Sequence, residues 1–203
     1  MKKLIGIIMR NDISKMGHSI SIAYNDLISS VRKSGGIPLM VPSDDIKPYL
    51  EICGGFILQG GDDISKNNLE ILKILRDKNI PTLGICLGMQ EMSFFSGGKL
   101  VDVSGHSGNV MHEIKVIPGS LLYKILSVEK ALVNSRHKSA ILFPKMEICA
   151  VSNDGIIEAI YDKNLKFFLG IEWHPENMYD DDINAQKIFD YFIKMCDDKH
   201  ISR

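Results

Sequence analysis

Residues 81–90, Pro-Thr-Leu-Gly-Ile-Cys-Leu-Gly-Met-Gln, decide how this chain folds. The short apolar run after the proline reads as a buried strand, and it enters Cys86 with no intervening loop. Gly84 and Gly88 stand two positions to either side of Cys86, and small residues there let the backbone turn tightly from a strand into a helix. This is the form of a nucleophile elbow, in which a parallel strand presents a reactive side chain at the start of the next helix. A thiol so placed faces unpaired N–H groups and the positive end of a helix dipole, which predicts a Cys86 pKa drawn down toward the thiolate. The Leu87 N–H is a natural donor to a developing oxyanion.

Outward from the elbow, the first half alternates short apolar runs with segments of helical period, the pattern of β-α units feeding a parallel sheet. Residues 4–9 read as a strand. Residues 20–33 read as a helix with Ile20, Tyr24, Leu27, Ile28 and Val31 on one face, ended by Gly35-Gly36. A strand at 37–41 closes at Pro42, and a short helix over 44–52 would take Ser43 as its N-cap. Residues 56–59 form the next strand, ending in Gly60-Gly61, and 69–78 the next helix. In the second half, segments near 110–117, 131–134, 147–152, 156–160 and 167–172 are short and β-branched or aromatic, which suits mixed or antiparallel strands added to the parallel core. A last helix runs over 184–195 behind Asp180-Asp181-Asp182, an acidic run suited to a helix start. The fold expected is α/β: a three-layer, open, mostly parallel sheet of flavodoxin-like kind, with flanking helices and additional antiparallel strands. A single domain is expected over residues 1–203.

Composition narrows the function. With 24 Lys plus Arg against 25 Asp plus Glu, the chain lacks the basic excess that phosphate-backbone binding needs, so no nucleic-acid partner is expected. Cysteines 53, 86, 149 and 196 are far apart, without zinc-type spacing, and fit reduced thiols in a reducing compartment. The N-terminal apolar run is too short for a signal peptide and no run reaches the ~20 residues of a membrane span, so a soluble, cytoplasmic protein is expected. Neither a G-x-G-x-x-G nor a Walker sequence occurs; no metal and no organic cofactor is expected.

A reactive thiol needs a base, and the base a group to orient it. Residues 167–176, FFLGIEWHPE, supply an apolar strand ending in His174-Pro175-Glu176. Two residues apart in extended chain, His174 and Glu176 project to one side, and Pro175 stiffens the link.

Together these segments resemble the class I glutamine amidotransferase-like hydrolases, in their γ-glutamyl hydrolase-like branch, peptidase C26. The resemblance spans nearly the whole chain: 24–42 with its Gly-Gly-Ile-Pro, 56–62 (FILQGGD), 84–90 (GICLGMQ), 133–137 (VNSRH) and 170–176 (GIEWHPE). It implies Cys86 as nucleophile, His174 as general base and then acid, and Glu176 as the carboxylate that orients it. It implies an oxyanion hole of the Gly61 and Leu87 N–H groups, with Gln90, Asn134, Ser135, Arg136 and His137 near the glutamyl moiety. The stretch after Gly60-Gly61-Asp62 is shorter than usual in this branch, and Lys138-Ser139 follows His137 where relatives often carry His and Gln. His18, Tyr24 and His106 are read as exposed structural residues near the mouth.

The function implied is hydrolysis of a small γ-glutamyl amide, such as γ-glutamyl-γ-aminobutyrate, through a γ-glutamyl thioester. The partner is then the small γ-glutamyl substrate, with a homo-oligomer open. Two alternatives stand beside it: a glutaminase subunit passing ammonia to a separate synthase, and a non-catalytic binding relative. The second would be expected to have lost part of the triad.

Overall fold

A computed structural model describes residues 2–196. In chain order, β1 (Leu4–Ile8) leads into a hairpin of β2 (Arg10–Ile13) and β3 (Ser19–Ile22), then α1 (Asn25–Lys33) and β4 (Ile37–Val41). A single 3-10 turn, Lys47–Tyr49, precedes β5 (Gly55–Leu58), α2 (Lys66–Asp77), β6 (Thr82–Ile85) and α3 (Leu87–Phe95). The second half holds β7 (Lys99–Asp102), β8 (Val110–Val116), α4 (Leu121–Leu126), β9 (Lys130–Ser135), β10 (Ser139–Leu142), β11 (Glu147–Ser152), β12 (Ile157–Tyr161) and β13 (Phe168–Ile171). A second 3-10 turn, Pro175–Asn177, separates β13 from α5 (Ile183–Met195).

Nine strands form one sheet in the order β4-β1-β5-β6-β13-β12-β11-β8-β9. The half from β4 to β13 is parallel, and from β12 to β9 every pairing is antiparallel. Burial explains the division. Strands β5, β6 and β13 are buried at every residue, as a sheet covered by helices on both faces requires. Successive side chains part to opposite faces: Ile57 packs into the cluster holding Leu27 and Val31 of α1 and Ile188, Phe189 and Phe192 of α5. Its neighbours Phe56 and Leu58 pack with Ile71, Leu72 and Leu75 of α2 and Met89 and Met92 of α3. Each such fully buried side chain contributes roughly 1.5–3 kcal/mol. The three-layer α/β arrangement expected from sequence is the one observed. Among the described residues no helix is long and apolar enough to cross a membrane.

Two local expectations are corrected. The helix expected over 20–33 begins only at Asn25, and residues 19–22 instead pair with 10–13 in the hairpin. Gln59 decides this locally: its amide donates to the Ile8 and Ile22 carbonyls, both at 2.9 Å, and its Oε1 accepts the Tyr24 N–H at 3.1 Å. The short helix expected over 44–52 is one 3-10 turn with Pro48 in its first positions, and its N-cap residue is Ile46 rather than Ser43. The Asp180-Asp181-Asp182 run does start the last helix, with the Asp182 carboxylate accepting the Asn184 N–H at 2.9 Å.

Candidate active site

The carboxyl ends of β5, β6 and β13 lie side by side, where open α/β sheets place their sites. Ile85 of β6 pairs with Ile171 of β13 and Gly84 with Leu58 of β5. The residues just beyond, Gly60-Gly61, Cys86 and His174, therefore emerge together. The Cys86 N–H still donates to the Ile171 carbonyl at 2.8 Å, so the ladder runs up to the elbow itself.

Cys86 has φ 51° and ψ −109°, a conformation that costs on the order of 1–3 kcal/mol in a non-glycine residue and turns its side chain out over the strand ends. The glycines meet the expectation from sequence by closeness rather than by positive φ. A Cβ on Gly84 would lie 2.7 Å from the Gly88 carbonyl, and one on Gly88 would run into the Leu58 carbonyl. The helix after the elbow thus sits directly on the strands.

The cleft over this point encloses about 310 Å³ and is lined by Arg10, Tyr24, Asp26, Gly60, Gly61, Asp62, Cys86, Arg136, His174, Glu176 and Asn177. His174 is fixed from three directions. Its backbone N–H donates to Asn134 Oδ1 at 2.8 Å, its carbonyl accepts from Asn134 Nδ2 at 3.0 Å, and its ring Nδ1 lies 2.7 Å from Glu176 Oε1. A carboxylate only accepts, so Nδ1 carries the proton and Nε2 keeps the lone pair that a general base needs.

The thiol differs from the sequence expectation. Burial pushes the Cys86 pKa well above its ordinary value, the Glu172 carboxylate adds to this, and the Leu87 N–H, though directed at the sulfur, lowers it by less. The helix start is real, but the elbow is too dry for a resting thiolate. Glu172 is itself fully buried; burial pushes its carboxyl up to about 8, against His137 and the Gln90 amide.

The residues expected around the glutamyl group divide. Arg136 and Gly61 line the cleft with Cys86, His174 and Glu176. Gln90 and His137 line a smaller adjoining recess that shares Gly61, Asp62, Cys86 and Arg136 with it; Gln90 Nε2 also donates to Glu172 Oε1 at 2.5 Å and to the Ser139 carbonyl at 3.1 Å. Asn134 and Ser135 do not line either one. The Asn134 amide clamps His174, and the Ser135 hydroxyl donates to the His106 carbonyl at 2.6 Å. Both are buried; Asn134 supports the cleft from behind through His174, whereas Ser135 holds His106, outside it.

Arg10 lines the cleft although the sequence reading did not single it out. Its guanidinium donates to the Tyr24 hydroxyl at 2.9 Å and the Gly60 carbonyl at 3.0 Å, and reaches Asp62 at 3.5 Å. It enters from the β2–β3 hairpin, and no motif marked it. Tyr24 lines the cleft with it, whereas His106, expected to be exposed, is buried away from the cleft and His18 lies exposed in the turn between β2 and β3.

A family model described as Peptidase C26 matches residues 66–176. Protein NtpR of Enterococcus hirae is 27% identical over 96% of this chain and 99% of its own. The γ-glutamyl-γ-aminobutyrate hydrolase PuuD of Escherichia coli is 24% identical over 95% of this chain and 93% of its own. In fold, the chain is similar to a putative GMP synthase subunit from Thermoplasma acidophilum, with a TM-score of 0.76 at 21% identity over 97% of this chain and 95% of that one.

Proposed function

The chain belongs to the peptidase C26 family, and we propose that it is a cysteine-dependent hydrolase that cleaves the γ-glutamyl amide bond of a small γ-glutamyl amine. One observation carries this reading: Cys86, held at positive φ on a strand-to-helix turn, shares a cleft with a His174–Glu176 pair whose geometry leaves Nε2 free as a base. The charges of the cleft favour a zwitterion. Arg10 and Arg136 suit a carboxylate, and Asp26 and Asp62 suit an ammonium group.

In the proposed reaction, Cys86 Sγ attacks the γ-carbonyl while His174 Nε2 takes the thiol proton, and Glu176 stabilises the imidazolium that forms. The Leu87 and Gly61 N–H groups receive the oxyanion. His174 then protonates the leaving amine, the C–N bond breaks, and a γ-glutamyl thioester remains on Cys86. Water, deprotonated by the same imidazole, attacks the thioester, releasing glutamate and returning the proton to sulfur.

The glutaminase-subunit reading is supported by the similarity in fold to a putative GMP synthase subunit, and one assay separates the two. Glutamate release by the isolated protein is measured from glutamine and from a panel of γ-glutamyl amines, beside Cys86→Ala. Turnover of the amines with negligible glutaminase is expected. Basal glutaminase alone would favour the subunit reading, and activity surviving in Cys86→Ala would overturn the mechanism.

A further inference from the structure

At the back of the recess, three imidazoles and a carboxylate converge from four separate parts of the chain: His106 from the loop between β7 and β8, His112 from β8, His137 from the loop between β9 and β10, and Glu158 from β12. Glu158 has no exposed surface, His106 and His137 retain 4% and 3%, and the His112 side chain is mostly covered. None of these residues lines the main cleft with the triad.

Hydrogen bonds at the rim fix which nitrogens carry protons. His106 Nε2 lies 2.9 Å from Asp154 Oδ2, and His137 Nδ1 lies 2.9 Å from the Ser139 carbonyl. Both partners only accept, so those nitrogens are the protonated ones. In the neutral rings the lone pairs are then on His106 Nδ1 and His137 Nε2, and these two atoms face each other at 3.2 Å. Glu158 Oε1 lies 3.5 Å from the first and 3.7 Å from the second. His112 Nε2 is 3.0 Å from the same oxygen, outside hydrogen-bonding alignment. The Ser135 hydroxyl, whose oxygen lies 3.5 Å from His106 Nδ1, donates its proton elsewhere, to the His106 carbonyl.

Acceptors therefore converge on acceptors in a dry site. Both Glu158 oxygens and both His112 nitrogens are buried with no aligned hydrogen-bond partner, a deficit that burial makes costly. A single added proton on His137 Nε2 could bridge one contact, to His106 or to Glu158, and would leave the others unmet. A cation at the point of convergence meets them together.

The dimensions match a small transition metal. Donor atoms of His106, His112 and Glu158 all lie within 4.8 Å of one another. His137 joins this set through His106 and Glu158 rather than through His112, and four of the six donor–donor edges, at 3.0, 3.2, 3.5 and 3.7 Å, bracket the roughly 3.3 Å edge of a tetrahedron with bonds of about 2.0–2.1 Å; closing the shell brings the His112 and His137 rings toward each other. The Asp154 carboxylate behind His106 and the Ser139 carbonyl behind His137 are outer partners of the sort that orient ligand imidazoles. We propose that His106, His112, His137 and Glu158 form a structural site for a divalent transition-metal ion with the preferences of Zn2+. Three imidazoles and one carboxylate complete a closed coordination shell, which points to a structural rather than a catalytic ion. Bound there, the ion ties the loop between β7 and β8 to the antiparallel half of the sheet and holds His137 against Glu172, 3.6 Å away. The donors are 6 to about 50 positions apart in sequence, so no spacing motif announces them.

The test uses the whole protein, stripped with chelator and reloaded with Zn2+ or Co2+. About one equivalent is expected to survive gel filtration. Co2+ should give the visible bands of a tetrahedral nitrogen-oxygen site, and zinc-edge X-ray absorption should show imidazole scattering with no sulfur. Binding should persist in Cys86→Ala and fall by 10- to 100-fold in Asp154→Ala, an exposed position where folding is not at stake. Glu158→Gln should abolish it. Retention of less than about a tenth of an equivalent by folded protein would overturn the proposal, as would sulfur in the metal's shell or unchanged affinity in Asp154→Ala and Glu158→Gln.

Discussion

Replacing Gly60 with alanine tests how tightly the base is held. Gly60 lies between Cys86 and His174, the proposed nucleophile and base: a Cβ there would stand 2.9 Å from His174 Cε1 and 3.6 Å from Cys86 Cβ. The residue is not among those with positive φ, so its backbone accepts alanine and the effect is steric alone. Ordinary contact begins near 3.4 Å, so the imidazole must retreat by about 0.5 Å. It cannot retreat freely, because Asn134 fixes its backbone on both sides and Glu176 holds Nδ1 at 2.7 Å. The ring must turn and stretch its bond to Glu176, an overpacking of the kind that costs about 1–3 kcal/mol. Misplacement by ~1 Å can cost ~100-fold in rate, so half that distance predicts roughly a tenfold loss in kcat, with KM within about threefold. The assay is glutamate release under saturation, beside iodoacetamide labelling of Cys86 and a thermal melt. Labelling should slow in parallel, since it too needs the proton removed from sulfur. The other cysteines are almost completely buried and should not contribute. If Gly60→Ala retains both rates while remaining folded, the imidazole is not held where proton transfer from sulfur needs it.

Further outcomes follow from the same contacts. Glu176→Gln keeps the shape but removes the charge behind the imidazolium, and kcat should fall by about 10²- to 10⁴-fold with little change in KM, measured by glutamate release. Arg10→Lys keeps a positive charge but cannot reach Tyr24, Gly60 and a substrate carboxylate together; KM should rise about tenfold, the loss of roughly one charge-assisted hydrogen bond, and an unchanged KM would remove Arg10 from the binding role. Burial pushes the Glu91 carboxyl up to about 7 from an ordinary 4.5, despite the Ser65 N–H and the Asn68 amide. The folded protein therefore holds a proton that the unfolded chain has released. That stabilisation is present below pH ~4.5 and is lost as pH rises to ~7, by about 3 kcal/mol. Denaturant titrations should show Glu91→Gln flattening this window, because glutamine has no proton to release across it.

What could be seen in the sequence was whatever the chain keeps contiguous. The elbow and His174-Pro175-Glu176 are each a few residues long, and buried parallel strands advertise themselves as apolar runs. The hairpin was hidden because its strands are largely exposed and bury no face against the core: Ser19-Ile20-Ser21-Ile22 alternates over only four residues, and Arg10-Asn11-Asp12-Ile13 opposite it does not alternate at all. Ile20 meanwhile fell by chance on the helical period of Tyr24, Leu27 and Val31. Losing the hairpin meant losing Arg10. Asn134 and Ser135 were found as site residues but given the wrong neighbours, since nothing in a strand's sequence tells whether an amide will meet a ligand or another strand's backbone. The Glu158 cluster was out of reach because its members meet only once the antiparallel strands are in register.

The register of β6 against β13 has a consequence for how this protein can change. Sulfur and imidazole owe their spacing to the pitch of a hydrogen-bond ladder, a ruler that loop length does not alter. An insertion within 168–171 would shift the base out of phase and end the chemistry. An insertion beyond Asp62 or in the 11–21 hairpin would merely reshape the doorway. Selection can therefore reshape the mouth while Cys86 and His174 stay at a fixed distance, and diversification of such a protein should be found in its loops.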